Sequence, residues 1–356
     1  MDASVNIKKI FIVPIEPIDQ RYTKQWYDFL PRWLEDNTEY LVETIDGISI
    51  PNKTTKGAFL DFGATNAYKA SQIIKIAELF QAGEVKPGDN FIVTDAWNFA
   101  ITSIRYMSEL LDIPVKIHGI WHAGNYDPSD ILGMKMSNDW AGNQERAWFL
   151  ACDYNYFATT FHLNMFMRNL FGDLRGRYED KIFRSGQPHG LIIDFMENLP
   201  KVKKENIIMW PHRYNDDKQP KIAEDLAKHF NVVITQKMNL GKKEYYEIMA
   251  KSKIIFSCAL HENLGISVME GTMAGCVPIV PNRCSYGEMY DLMFKYPSKW
   301  TESFELYLQY KDLILAKIST MMDEYNNREV QSTLLEQQKI LKSEYLSATT
   351  MLLNLK

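Results

Sequence analysis

Ser257-Cys-Ala-Leu-His-Glu-Asn-Leu-Gly-Ile-Ser-Val-Met-Glu-Gly-Thr-Met-Ala-Gly-Cys-Val-Pro-Ile-Val-Pro281 is the stretch that decides the fold. An apolar run, Lys253 to Ser257, reads as a buried strand and ends where the polar loop carrying His261 and Glu262 begins. Gly265 opens a helix that runs to Ala274, Gly275 ends it, and Val277 to Val280 is the next strand. Strand, loop, helix and strand in that order form one unit of a parallel α/β sheet. A glycine at a helix N-terminus lets backbone N–H groups approach an anion closely, and a diphosphate fits there. Glu262 lies before the helix and Glu270 within it, so the two carboxylates address two different sets of hydroxyls.

Outward from this segment the alternation continues. On its N-terminal side lie the strand Asn206 to Trp210, the helix Lys221 to Phe230, the strand Val232 to Thr235 and the helix Lys242 to Lys251. Earlier still, strands are expected at Lys9 to Val13, Ala58 to Phe62, Asn90 to Thr94, Val115 to Gly119 and Asn155 to Thr159. Helices are expected at Thr23 to Leu34 (Thr23 in the N-cap position), Asn66 to Gln81, Phe99 to Leu111, Asn138 to Leu150 and Leu163 to Phe171. From Glu305 onward the pattern is mostly helical. The fold class is α/β, with a domain change near 185–200. The expected organisation is an acceptor-side domain over 1–190, a nucleotide-sugar domain over 191–310, and closing helices over 311–356 that brace back onto the first. Two such domains would face each other across a cleft at the C-terminal ends of their strands, where open α/β sheets bind ligands.

These residues resemble a family. Glu262 and Glu270 stand at the spacing of the E-x7-E signature of retaining glycosyltransferases with the GT-B fold, with Gly265 between them and Gly271 after the second. Ile207-Ile-Met-Trp-Pro-His-Arg-Tyr-Asn-Asp-Asp-Lys-Gln-Pro220 resembles the segment that opens the donor domain of that family, in the branch that includes tRNA-queuosine mannosyltransferases. The resemblance implies two Rossmann-like doubly wound domains and a nucleotide sugar as donor, with UDP as its nucleotide and no cofactor or metal. It implies that Arg213 and Lys218 neutralise the diphosphate, that Glu262 binds sugar hydroxyls and that Glu270 binds the ribose. His261, Asn263, Leu264 and Gly265 complete the donor-binding set.

In the N-terminal half the resemblance is thinner. Ile117-His-Gly-Ile-Trp-His-Ala-Gly124 is similar to a strand-end histidine segment, which implies a catalytic place for His122, and Phe157-Ala-Thr-Thr-Phe-His-Leu-Asn-Met-Phe166 to a Thr-containing strand-to-helix turn. Asp95, at the end of a strand, is a second acceptor-side candidate. Where the family often has a glycine pair, this chain has Pro14-Ile-Glu-Pro-Ile-Asp-Gln-Arg-Tyr-Thr-Lys-Gln-Trp26. Glu16, Arg21, Tyr22 and Trp26 there either shape an acceptor site or serve as helix cap and core. This first loop is similar to bacteriophage-encoded glycosyltransferases, which implies hydroxymethylated cytosine in DNA as acceptor and glucose or arabinose as the sugar.

The net charge of −5 is not the bulk signature of a nucleic-acid binder, so DNA contact would fall to a local patch. Residues 168–184 hold Arg168, Arg175, Arg177, Lys181 and Arg184 against three acids, with Tyr178 and Phe183 interleaved, and Lys201, Lys203 and Lys204 follow. No apolar run reaches the ~18 residues of a membrane span, and no secretory signal precedes the first strand, so a cytoplasmic protein is expected, in the host cytoplasm if phage-encoded. The four cysteines form no C-x-x-C pair and read as reduced and buried. His118 and His122 flank a strand end and not a helix face, which argues against zinc. A tRNA-base or glycan transferase, a nucleotide-sugar epimerase and a sugar-nucleotide-binding regulator remain as alternatives.

Overall fold

The structure, a computed structural model, describes residues 8–18, 22–51, 60–136, 139–199, 202–238 and 240–355. Arg21, Asn138, Lys201 and the first residues of the expected strand at 58–62 lie outside them. The chain divides into two compact units. The first comprises 1–158, 162–188 and 348–356, and the second comprises 159–161 and 189–347.

In the first unit six parallel strands form one sheet. They are β1 (Lys9–Val13), β2 (Leu41–Thr44), β3 (Asn90–Val93), β4 (Lys116–Trp121), β5 (Tyr154–Phe157) and β6 (Ile182–Arg184), in the order β2-β1-β3-β4-β5-β6. The central strands read as near-continuous apolar runs because helices cover both faces. Phe11, Phe91 and Phe80 stack behind β1 and β3. The helix Phe62–Gln81 is capped by Asp61, whose carboxylate accepts the Ala64 N–H at 2.8 Å. Leu60 to Phe62, the described part of an expected strand, is therefore a cap and helix start. The sheet edge is supplied instead by β2, whose half-buried Leu-Val-Glu-Thr lacks a strand's alternation. Thr23 is not an N-cap. The helix Tyr22–Asn37 already includes it, and its hydroxyl accepts the Ile18 N–H at 3.1 Å.

The second unit has five parallel strands: β7 (Glu205–Trp210), β8 (Asn231–Ile234), β9 (Ser252–Phe256), β10 (Val277–Pro281) and β11 (Lys295–Tyr296). Their order is β11-β10-β9-β7-β8. Pro278 is tolerated in β10 because its pairing with β11 begins only at Val280. Ile208, Trp210, Ile254, Phe256, Val277 and Ile279 form the core with Tyr307, Ile314 and Ile318 of the helix Phe304–Asp323. Among the described residues no helix is long and apolar enough to cross a membrane.

Counted in order of appearance, both sheets run 2-1-3-4-5, and the first adds a sixth strand. In such a doubly wound sheet, strands 1 and 3 are neighbours whose following connections leave on opposite faces, and the crevice beyond their C-terminal ends is the ligand site. In the second unit that switch point falls between β7 and β9. The two segments singled out from the sequence, 207–220 and 257–281, contain the loops that leave those two strands.

Candidate active site

After β9 the chain crosses to the helix Ile266–Met273 through Gly265, which has φ +79° and serves as its N-cap. A Cβ at Gly265 would lie 2.7 Å from Cε1 of the buried Tyr286, so both conformation and space demand glycine. One turn on, Gly271 lets the helix lie against β9, since a Cβ there would meet Ile255 at 2.2 Å. The helix stops in a Schellman arrangement. Cys276 N–H donates to Gly271 C=O at 2.9 Å, and Gly275 N–H, at φ +84°, donates to Thr272 C=O at 3.0 Å. The N–H groups of Ile266 and Ser267 at the helix start have no intrahelical acceptors, whereas that of Val268 donates to the Gly265 carbonyl at 3.0 Å.

Lys218 and Glu262 meet there. Lys218 is buried, and its ammonium donates to the His261 carbonyl while standing 3.3 Å from Glu262 Oε2 and 3.2 Å from Asp217 Oδ2. Burial pulls its pKa down, but the Glu262 and Asp217 carboxylates outweigh this and hold it above the usual lysine value. For Glu262 the balance is the mirror image. Burial pushes its carboxyl up, whereas the Lys218 ammonium beside it brings it below the ordinary range. The other oxygen, Oε1, accepts the Gly265 N–H at 3.0 Å. Glu262 thus fastens the turn that presents the helix N-terminus.

His212 ties the two loops, its Nε2 lying 2.8 Å from Ser257 Oγ. Burial lowers its pKa to about 3, so the ring is neutral. Arg213 is half-buried and forms no ion pair among the described residues, and its charge acts on both His212 and Lys218. Leu264 is buried, and His261 and Asn263 are half-buried. Glu270 stands apart from the Lys218 pair. Its two oxygens accept the hydroxyls of Tyr246 at 2.7 Å and Tyr245 at 3.2 Å, and burial raises its pKa.

Two positioning residues escape sequence reasoning. Gln219 has φ +55°, an uncommon conformation for a non-glycine residue, and its amide donates to the carbonyls of Cys258 and Thr301, both at 2.6 Å. Arg283 reaches the same two carbonyls and also Ala259 C=O at 2.7 Å. Together they pin the first residues of the Glu262 loop. No motif signals this set, because its members are spread from 219 to 301.

In the first unit His122 donates from Nε2 to Thr94 C=O at 2.7 Å, and its Nδ1 lies 3.1 Å from the Gln187 amide. Burial lowers its pKa, so it is a neutral imidazole with both nitrogens engaged, packed on Trp26 and Tyr22. Asp95 is buried in an ion pair with Lys69 at 2.7 Å. Glu16 is buried and accepts the Thr65 hydroxyl at 2.8 Å. Glu145, wholly buried, accepts the N–H groups of Asn125 and Tyr126 and the Trp97 indole, and burial raises its pKa to about 7.

The basic segment is less free than its composition implied. Arg168, Arg175 and Arg177 are exposed, but Lys181 caps the carbonyls of Leu150 and Cys152. Tyr178 packs on Phe149 and Phe171, and Phe183 on Tyr154 and Tyr156, so these aromatics serve the core.

The two doubly wound sheets define a GT-B architecture, that of a class of glycosyltransferases. Solved structures agree on the fold. Sucrose-phosphate synthase from Thermosynechococcus elongatus superposes with a TM-score of 0.60 over 97% of each chain at 11% identity. The catalytic domain of starch synthase IV from Arabidopsis thaliana, bound to ADP and acarbose, gives 0.58 over 98% of each chain at 11% identity. No family model matches the chain. A curated relative, the tRNA-queuosine alpha-mannosyltransferase of Drosophila melanogaster, is 24% identical over 40% of this chain and 50% of its own, so the chain spans about half that relative's length.

Proposed function

We propose that this protein is a retaining glycosyltransferase that takes a sugar from a nucleoside diphosphate sugar, with UDP as the nucleotide. The observation that carries this reading is the convergence of Lys218, Glu262 and the Gly265 helix start at the switch point of the second sheet. The diphosphate lies on the helix N–H groups beside Lys218 and Arg213, which stabilise it as leaving group. Glu262 holds sugar hydroxyls and Glu270 the ribose. The bond from the anomeric carbon to the diphosphate breaks as the bond to the acceptor oxygen forms on the same face. The acceptor proton passes to a departing phosphate oxygen. His122 and Asp95 are the acceptor-side residues of this proposal. As a neutral ring His122 offers hydrogen bonds and shape, not a charge.

As acceptor we propose a hydroxymethylated cytosine in phage DNA, receiving glucose or arabinose, with the exposed Arg168, Arg175 and Arg177 on the phosphate backbone. The match to a tRNA-queuosine mannosyltransferase supports a second reading, a hydroxyl-bearing tRNA base. Incubation with labelled nucleotide sugars and hydroxymethylcytosine DNA, plain DNA or tRNA separates them. Label in the modified DNA alone supports the first reading, and label in tRNA the second. Nucleotide released without labelled nucleic acid refutes both, and epimerised donor without release identifies an epimerase. Glu270→Ala and Arg213→Ala are each expected to lower transfer at least ~100-fold, the scale of one preorganised charge partner. Near-normal turnover by either would refute the donor site.

A further inference from the structure

Glu270 is held in an unusual way. It keeps 8% of its surface exposed, and among the described residues no Lys, Arg or His forms an ion pair with it. Its partners are two consecutive tyrosines of the helix Lys242–Lys251. Adjacent helical residues point about 100° apart and do not normally address one group. Here the rings meet edge to face at 5.1 Å and both hydroxyls turn onto the same carboxylate, one to each oxygen. Tyr246 is buried and packs against Phe195 of the helix Gly190–Glu197 at 4.3 Å, which fixes the ring. Tyr245 is half-buried, and its bond is the longer one.

A carboxylate offers about four lone-pair sites, and the two phenols use two of them. The two that remain lie one on each oxygen. Two adjacent hydroxyls of a ribose present two donors at matching separation, and a 2′-deoxyribose presents one fewer. An ammonium or guanidinium partner would have taken lone pairs and neutralised the charge. Lys242 acts on Glu270 only through its charge, and the two phenol donors fix the plane of the group.

We propose that Tyr246, with Tyr245, is a positioning residue that sets the plane of the Glu270 carboxylate for a vicinal diol, making the site selective for ribonucleotides over deoxyribonucleotides. This rests on the reading of Glu270 as the ribose contact. Tyr246→Phe keeps the ring and its packing on Phe195 and removes only the hydroxyl, and Tyr245→Phe is the companion variant. Binding of UDP, GDP and ADP and of their 2′-deoxy counterparts is measured by calorimetry for the native chain, both Tyr→Phe variants and Glu270→Gln. The native chain is expected to prefer the ribose form at least ~10-fold, the scale of a hydrogen bond to a charged group. Glu270→Gln removes that preference. Tyr246→Phe reduces it several-fold by weakening the ribose form and leaving the deoxy form unchanged, and Tyr245→Phe does the same to a smaller extent. A purely structural role would weaken both forms alike. A native preference that survives in both Tyr→Phe variants and vanishes in Glu270→Gln overturns the positioning role alone. A native chain that binds none of the nucleotides, or both sugars equally, or a Glu270→Gln variant that still discriminates, overturns the ribose reading as well.

Discussion

Lys218→Met is the perturbation whose consequences follow most directly from the geometry. Methionine keeps the length and apolar stem of lysine and deletes the charge. At an effective dielectric of about 20, a unit charge 3.3 Å from Glu262 Oε2 is worth about 5 kcal/mol of attraction. Asp217 at 3.2 Å adds a similar amount, and desolvation of the buried ammonium takes several kcal/mol back. Removing one partner and leaving the others in place is the costly case, about 3–5 kcal/mol. For a unit of this size that lowers the melting temperature by roughly 6–12 °C at 3 kcal/mol.

The pH dependence identifies the cause. In the native chain Glu262 titrates below its unfolded value, so its stabilising contribution is present above about pH 4.3 and fades only as the pH falls through the depressed folded value. Without Lys218, burial dominates and the folded carboxyl rises above the unfolded value. The variant then recovers stability by taking up a proton as the pH falls. The gap in melting temperature between native and variant is therefore largest near pH 8 and narrows toward pH 5. Affinity for UDP, measured by calorimetry, falls about 10- to 100-fold, as for a lost charge-assisted hydrogen bond. An equal drop in melting temperature at pH 5 and pH 8 would refute the pairing as the source of the loss. Unchanged UDP affinity would refute the place of Lys218 in the donor site.

Gly265→Ala should cost about 1–2 kcal/mol in backbone strain alone, with the Tyr286 contact added, and should weaken UDP binding more than it lowers the melting temperature. Glu145 gives a second pH signature, of opposite sign to native Glu262. Its folded pKa of about 7 lies above the unfolded value, so its contribution is full below about pH 4.3 and is lost as the pH rises through 7, roughly 4 kcal/mol in all. Thermal melting of the native chain minus that of Glu145→Gln should show this slope between pH 5 and 8, and parallel curves would contradict it.

The donor segment was legible because its chemistry is local. Gly265 and Gly275 mark the two ends of one helix, and the apolar runs on either side are buried strands. Three of the four sheet edges were not legible. β6 and β11 span only three and two residues, too few for any periodicity to register, and β2 is a four-residue edge strand with no alternation of burial. Gln219, Arg283 and the tyrosines that hold Glu270 were missed for a different reason. Each acts on carbonyls or carboxylates far along the chain, and only folding brings them together. In the first unit residue type did not reveal what each group is paired with. Asp95 and His122 have the chemistry of catalytic groups, yet Lys69 holds the first and Thr94 and Gln187 hold the second.

The chain order of the two units bears on how the protein is made. Residues 348–356 belong to the first unit, where Met351 and Leu355 are buried and Tyr40 donates to the Leu355 carbonyl. Most of that unit leaves the ribosome first, but its last segment emerges only after all of 189–347 has been synthesised. The first unit therefore stays incomplete while the second is synthesised. A nascent chain stalled before Ala348 should carry a complete second unit and an incomplete first one. The same order makes the docking of the helix Thr349–Leu355 the step that completes the first unit, and it can occur only once 189–347 has been made.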